Sequence, residues 1–172
     1  MKKIIFFLLI MAVVLTSSSI YAAQKSPLGL GNIALKVNYI SFTEDEDTGI
    51  YVGLEGYGEI RPSLYLGAEV GYANSISEKD IFVPIELNLK YAIKATPDFV
   101  IDLGVGGSYN YLEEEHSGND WLFGIQFFAD LNYTIDKLFI GINAKYQRTE
   151  HFKDSLRDFN NWRFGGQIGI MF

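Results

Sequence analysis

The side chains best suited to covalent chemistry lie together in one polar segment near the end of the chain. His151, Ser155 and Glu150 supply the imidazole, the hydroxyl and the carboxylate that acyl-transferring hydrolases combine. His151 and Ser155 are separated by three residues of a predicted loop, where isolated polar residues are common. We therefore predict that the chain is not an enzyme, and a hydrolase built on these residues is the alternative.

Two acidic clusters are the most plausible cation ligands in the sequence. Cysteine is absent, which excludes disulfides, thiolate metal sites and cysteine nucleophiles, and only two histidines are present. Glu44–Asp47 and Glu113–Glu115 offer carboxylates, which Ca²⁺ and Mg²⁺ prefer as ligands. Their spacing matches no EF-hand loop, and runs of like charge are ordinarily solvated. We predict no metal and no cofactor, with cation binding by these clusters as the alternative.

Ten further charged side chains occupy alternate positions in otherwise apolar segments, and glycines share many of these positions. A water-exposed face has no need of glycines, whereas a narrow interior needs small residues beside long ones. Buried charges must be paired and hydrogen-bonded. We predict a structural salt-bridge network inside a narrow barrel, formed by Lys36, Glu55, Glu59, Glu69, Glu86, Lys90, Asp102, Asp130, Lys145 and Arg163.

The elements that must position these charges are strands, because apolar residues recur with a period of two and no helical period persists. Most of the predicted strands have nine to thirteen residues, whereas soluble strands average about five or six and bilayer-crossing strands need about nine to eleven. Pro84 lacks a ladder donor, so we expect the fourth strand to start or bulge there. The predicted strands are Ala34–Phe42, Ile50–Ile60, Ser63–Ala73, Ile81–Ile93, Phe99–Leu112, Trp121–Tyr133, Leu138–Thr149 and Asn161–Phe172.

The connections between these strands alternate in length. Tight turns follow the second, fourth and sixth strands, while longer and more charged segments follow the others. Short periplasmic turns, long external loops and an even strand count are typical of outer-membrane barrels. The predicted fold is therefore all-β, an eight-stranded antiparallel up-and-down transmembrane β-barrel.

One face of each predicted strand is apolar, and its aromatic residues gather near the strand ends. Tyrosine and tryptophan favour a membrane interface, and two aromatic girdles are expected of a membrane barrel. Five aromatic residues have the opposite, inward parity, and we expect them to plug the ends of the interior unless a bulge shifts the register. These five are Tyr51, Tyr57, Tyr65, Phe128 and Phe139.

The first 23 residues have the layout of a secretory signal peptide. Lys2 and Lys3 precede the apolar run Ile4–Leu15, and small residues lead to Ala22-Ala23. The run is shorter than the roughly 20 residues that a spanning helix needs. We predict export and cleavage, which leaves one domain at 24–172. Loss of the two lysines takes the formal net charge from −7 to −9, so we predict no nucleic-acid binding.

The segment Asn161–Phe172 alternates apolar residues and ends in phenylalanine. With the eight strands and the signal peptide, the whole mature chain resembles the OmpA/OmpX-like family of outer-membrane β-barrel domains. The resemblance implies a Gram-negative outer-membrane location, contact with lipopolysaccharide, and assembly by periplasmic chaperones and the barrel-assembly machinery. It also implies an assembly signal formed by Trp162, Phe164, Ile168, Ile170 and Phe172.

The resemblance leaves three functions to compare. Some eight-stranded outer-membrane barrels modify lipid A, but the deacylase pattern is His-x-Ser on a strand, and His151 and Ser155 do not match it. A porin-like ion-conducting pore is the second alternative, and a filled eight-stranded interior argues against it. We predict a non-enzymatic barrel with a structural or surface-interaction role.

Overall fold

The computed structural model describes residues 26–43, 47–75, 81–114, 118–150 and 159–172. Period-two alternation produces eight strands, as predicted, and their bounds differ from the prediction by at most three residues. No helix in these ranges is long and apolar enough to span a bilayer. The strands are β1 (Gly31–Phe42), β2 (Thr48–Arg61), β3 (Leu64–Ser75), β4 (Ile81–Lys94), β5 (Phe99–Glu114), β6 (Gly118–Ile135), β7 (Leu138–Glu150) and β8 (Asn161–Met171).

Each strand pairs antiparallel with its neighbours in sequence, and β8 pairs with β1 to close the barrel. Following the paired residues once around from Asn32 leads back to β1 at Phe42, ten residues further on. For eight strands, this stagger corresponds to a strand tilt of about 41° from the barrel axis. The predicted eight-stranded up-and-down transmembrane barrel fold is confirmed.

The outer wall of the barrel is apolar. Burial alternates along every strand, so that one set of side chains fills the interior and the other is exposed; Leu87 and Ile142 are 62% and 64% exposed. Aromatic pairs lie near both ends of this wall. Tyr109 stacks on Trp121 at 4.6 Å toward the long-loop end, and Phe99 lies 5.1 Å from Tyr133 at the short-turn end. An apolar wall between aromatic girdles is the surface of a membrane barrel.

Short turns join β2 to β3 and β6 to β7. Ser63 and Asp136 have positive φ angles of 66° and 53°, the left-handed geometry that tight two-residue connections use. A slightly longer connection, residues 95–98, joins β4 to β5, and the amide of Ala95 bonds to the carbonyl of Phe99. The short turns therefore all lie at one end of the barrel, as predicted.

The fourth strand neither starts nor bulges at Pro84, contrary to the expectation. β4 continues through it with unbroken pairing to β5, where Pro84 lies opposite Asn110. The ladder to β3 skips Pro84, since pairing passes from Val70–Ile85 directly to Ala73–Phe82 in the same register. The missing N–H thus costs pairing on one side only. Among the described residues, the pairing register shifts between β2 and β3 instead, close to the turn that joins them.

Candidate functional site

The interior of the barrel holds a continuous network of charged side chains. Lys145 lies at its centre, with its Nζ 2.6 Å from the carboxylate of Glu69 and 2.5 Å from that of Glu86. Arg163 approaches Glu86 at 2.6 Å from β8, and the hydroxyl of Tyr51 donates to Glu69 at 2.5 Å. All five side chains are almost completely buried. Residues from five strands are therefore tied together across the interior.

The network continues toward the short-turn end through Lys36 and Lys90. Lys36 pairs with Glu55 at 2.8 Å and lies 3.9 Å from Asp130. Lys90 lies 3.4 Å from Asp102 and 3.9 Å from Glu55. Nine of the ten charged residues predicted for the interior are therefore in the network. They comprise four cations and five carboxylates, all buried.

Glu59, the tenth, does not join the network. It is the last inward position of β2, so it lies at the rim and is only partly buried. Its carboxylate accepts a hydrogen bond from the Ser26 hydroxyl at 2.5 Å and one from the Ser63 amide at 2.8 Å. Glu59 therefore fastens the segment before β1 to the β2–β3 turn, and its inclusion in the lumen set was wrong.

The inward aromatic rings lie beside the buried cations. The Nζ of Lys90 is 3.9 Å from the ring centre of Tyr57, and the guanidinium of Arg163 is 4.7 Å from that of Tyr51. Lys36 and Lys145 both lie within 6 Å of the Phe128 ring. Cation–π attraction strengthens when the groups are desolvated. The rings thus stabilise charges that the carboxylates alone surround incompletely.

The inward glycines make room for these rings. A side chain at Gly71 would collide with Tyr51, and one at Gly104 would collide with Phe128. The sequence predicted that glycines accommodate long charged residues. The aromatic rings are their closest neighbours at these two positions instead. Each ring therefore covers a stretch of wall that has no side chain of its own.

Buried amides extend the network in both directions, and sequence reasoning did not select them. Gln147 accepts a hydrogen bond from Arg163 at 3.0 Å and donates to Asn110 at 2.9 Å toward the long-loop end. Asn132 donates to Asp102 at 3.0 Å and accepts from Gln167 at 2.6 Å toward the short-turn end. Their inward parity was a signal that could have identified them.

Apolar clusters close both ends of the polar interior. The long-loop cluster comprises Ile40, Phe42, Tyr51, Ala73, Phe82, Leu112, Leu122 and Phe159. The short-turn cluster comprises Leu28, Tyr57, Tyr65, Ala92, Val100 and Phe128. Of the five inward aromatics, four belong to these clusters as the sequence predicted, while Phe139 is buried against Gly169. The charged network is therefore separated from water at both mouths.

The segment before β1 completes the short-turn cluster. Leu28 is fully buried, and its amide donates to the Tyr65 hydroxyl at 3.2 Å. That hydroxyl donates in turn to the carbonyl of Gly29 at 2.8 Å. The segment precedes the first period-two pattern, so sequence reasoning had no signal for it.

Comparison with known proteins identifies the fold. No protein-family model and no curated protein matches the sequence. Neisserial surface protein A superposes with a TM-score of 0.69 at 11% identity, covering 83% of this chain and 96% of that one. The N-terminal β-barrel domain of Pseudomonas aeruginosa OprF gives 0.61 at 13% identity, covering 82% and 97%. The outer membrane enzyme PagL gives 0.58 at 12%, covering 82% and 99%.

This is the fold of the eight-stranded outer-membrane barrels. The sequence identity between this chain and each of these three structures is too low to support more than a shared fold. In this fold, β8 seals the barrel against β1, and the Phe172 amide bonds to the Gly31 carbonyl at 2.9 Å. The residues of the predicted assembly signal form the exposed outer face of β8 and its end. They are Trp162, Phe164, Ile168, Ile170 and Phe172.

The residues of the alternative catalytic and cation-binding interpretations lie mostly outside the described residues. His151 and Ser155 are outside, and Glu150 is the exposed last residue of β7, paired with Arg148. Of the two acidic clusters, Asp47 accepts the Thr48 amide at 2.7 Å and Glu113 accepts the Tyr111 hydroxyl at 3.3 Å. Within the described ranges, no group of three or more acidic or histidine side chains is arranged to hold a metal ion.

Proposed function

We propose that the chain is a non-enzymatic integral protein of the Gram-negative outer membrane with a structural or surface-interaction role. The observation that carries this proposal is the interior, where cations and carboxylates are paired with one another and closed off by apolar clusters at both ends. Such an interior holds the barrel rigid and leaves the external end of the protein for contact with a partner.

The outer wall supports the membrane location. Apolar side chains that are half exposed along all eight strands would be costly in water and are favourable in lipid. We propose export by a signal peptide at residues 1–23, followed by delivery through periplasmic chaperones. The barrel-assembly machinery would then recognise the outer face of β8. Lipopolysaccharide is the proposed lipid partner of the inserted barrel.

The first experiment is electrophoresis of separated membrane fractions with and without boiling. Closed membrane barrels resist detergent until heated, so we expect a band confined to the outer-membrane fraction whose mobility changes on boiling. Recovery of the protein as a soluble periplasmic species without such a change would refute the proposal. Sequencing the N-terminus of the same band tests cleavage after Ala22 or Ala23.

The porin-like alternative is tested by planar-bilayer recording. The paired network and the two apolar clusters occupy the interior of the barrel, so we expect no stable conductance steps. Discrete steps from protein that also shows the boiling-dependent mobility change would favour the pore over the structural role.

The enzymatic alternative is tested on lipid A itself. We expect lipid A from a strain that overproduces the protein to have an unchanged mass spectrum. A loss of acyl chains that disappears in both His151→Ala and Ser155→Ala variants would establish a hydrolase and overturn the non-enzymatic assignment.

A further inference from the structure

A depression interrupts the outer apolar wall at β6, β7 and β8. Its floor is formed by Ala129 and Ala144, which lie directly opposite each other on β6 and β7. Larger side chains surround this pair. Leu131 and Ile142 form the next outward pair toward the short turns, and Phe164 lies opposite Ala144 on β8. Two adjacent methyl groups among larger neighbours create a recess in the wall.

The recess has a volume of about 460 Å³ and opens outward. Ile101 completes its apolar lining from β5. An unfilled recess would deprive its lining of van der Waals contacts, so the membrane must supply atoms to fill it. A flexible acyl chain can enter it from the surrounding lipid.

A single cation lies beyond the recess toward the long-loop end. Arg148 is on the same outward face of β7 as Ala144, four residues further along, which corresponds to about 13 Å of extended strand. Among the described residues, it is the one cation on the outer face of the long-loop half, and its side chain is 64% exposed. Because the strands tilt by about 41°, this separation corresponds to about 10 Å along the membrane normal, which is within the depth of one hydrocarbon leaflet, about 15 Å.

The present partner of Arg148 leaves it free to bind an anion. Its Nη2 lies 3.2 Å from the carboxylate of Glu150, and both side chains are mostly exposed. Exposed ion pairs contribute little, whereas a guanidinium binds phosphate through two hydrogen bonds. Next to Arg148, the Tyr146 ring packs on Trp162 with centres 4.7 Å apart, which provides an interfacial aromatic surface.

We propose that this strip of β6–β8 binds one lipid A molecule of the outer leaflet. Arg148 would hold a phosphate of the headgroup, and an acyl chain would descend past Tyr146 into the recess over Ala129 and Ala144. Charge complementarity favours a phosphorylated lipid over a second barrel as the occupant. The inference rests on the proposed outer-membrane location, which places the long-loop end in the leaflet that contains lipid A.

The test is native mass spectrometry of the purified barrel titrated with bis-phosphorylated, hexa-acylated lipid A. We expect Arg148→Gln to weaken binding about fivefold by removing the phosphate contact, and Ala144→Leu to weaken it similarly by filling the recess. Ala68→Leu is the matched control, because Ala68 is an outward alanine on β3 and the change adds the same atoms. Lys137→Gln, at the short-turn end, controls for the loss of charge.

Two results would overturn the site. One is equal binding by the Ala144→Leu and Ala68→Leu variants. The other is binding of zwitterionic phosphatidylethanolamine as tightly as lipid A, with no effect of Arg148→Gln. Each variant is first checked for the boiling-dependent mobility change. Variants that fold and insert but bind lipid A unchanged refute the site alone, whereas absence of the wild-type protein from the outer membrane refutes the proposed function.

Discussion

Replacing Lys145 with methionine removes the central cation of the interior and retains most of its volume. Glu69 and Glu86 then lose contacts of 2.6 and 2.5 Å, while Arg163 remains beside Glu86. The two carboxylates lose the cation that they shared, and the apolar clusters at both ends of the barrel keep water from replacing it. We therefore expect Lys145→Met to be strongly destabilising.

The magnitude follows from the geometry. At an effective dielectric constant of about 20, each of these two contacts is worth about 6 kcal/mol of Coulomb energy. The cost of desolvating the lysine, which its replacement removes, offsets much of this sum. Breaking a buried pair by removing one partner costs about 3–5 kcal/mol in practice. We expect the free energy of unfolding to fall by this amount.

The assay is urea unfolding of the barrel in phospholipid vesicles, followed by tryptophan fluorescence. The double variant Lys145→Met/Glu86→Gln removes one charge of each sign, so we expect it to recover about 2 kcal/mol relative to the sum of the single changes. Arg148→Gln is the control, because its exposed pair with Glu150 should contribute less than about 1 kcal/mol. A Lys145→Met variant as stable as this control would refute the interpretation of the network.

Three further changes test the packing and the wall. Gly104→Ala places a methyl group against Phe128, so we expect the free energy of unfolding to fall by about 1–3 kcal/mol. Adding Phe128→Leu should recover most of this loss, and an equal loss in the double variant would contradict the interpretation. Leu28→Ala leaves a cavity in the short-turn cluster, and we expect the free energy of unfolding in the same urea assay to fall by about 2–5 kcal/mol. An unchanged free energy would mean that the segment before β1 does not pack there. Leu87→Arg puts a charge on the wall, and we expect about 2–4 kcal/mol of destabilisation in vesicles; an unaffected midpoint would mean that this face does not contact lipid.

Alternation along the chain was sufficient to predict the barrel. Each strand buries one set of side chains and exposes the other, so a period of two in the sequence maps directly onto interior and wall. The strand ends were less predictable, because pairing extends to residues outside the apolar pattern, such as Gly31 and Gly118. The effect of Pro84 was misjudged, since the strand tolerates a missing donor on one side when the other ladder is complete.

Parity also placed nine of the ten charged residues, but it could not assign their partners. Which carboxylate Lys145 contacts depends on the stagger between strands, and the stagger is set by the whole circuit of pairing rather than by any local segment. Glu59 does point inward, as its position in the alternation predicts, but it lies at the rim of the barrel rather than inside it. Nothing in the local pattern indicates where along a strand the interior ends. The capping role of Leu28 depends on a chain reversal that has no periodic signal.

The interruption between β3 and β4 has a consequence for how the wall fluctuates. Opposite Pro84, the ladder between β3 and β4 has no pairing at Gly71 and Tyr72. Separating these two strands here therefore breaks fewer backbone hydrogen bonds than separating other neighbouring strands. Local opening requires the least free energy where backbone protection is weakest. We therefore expect hydrogen exchange in this stretch of β3 to be faster than at equally central positions of the other strands. The Tyr51 ring covers Gly71 from inside and lies 4.7 Å from the guanidinium of Arg163, so we expect it to keep Arg163 shielded from the bilayer during such openings.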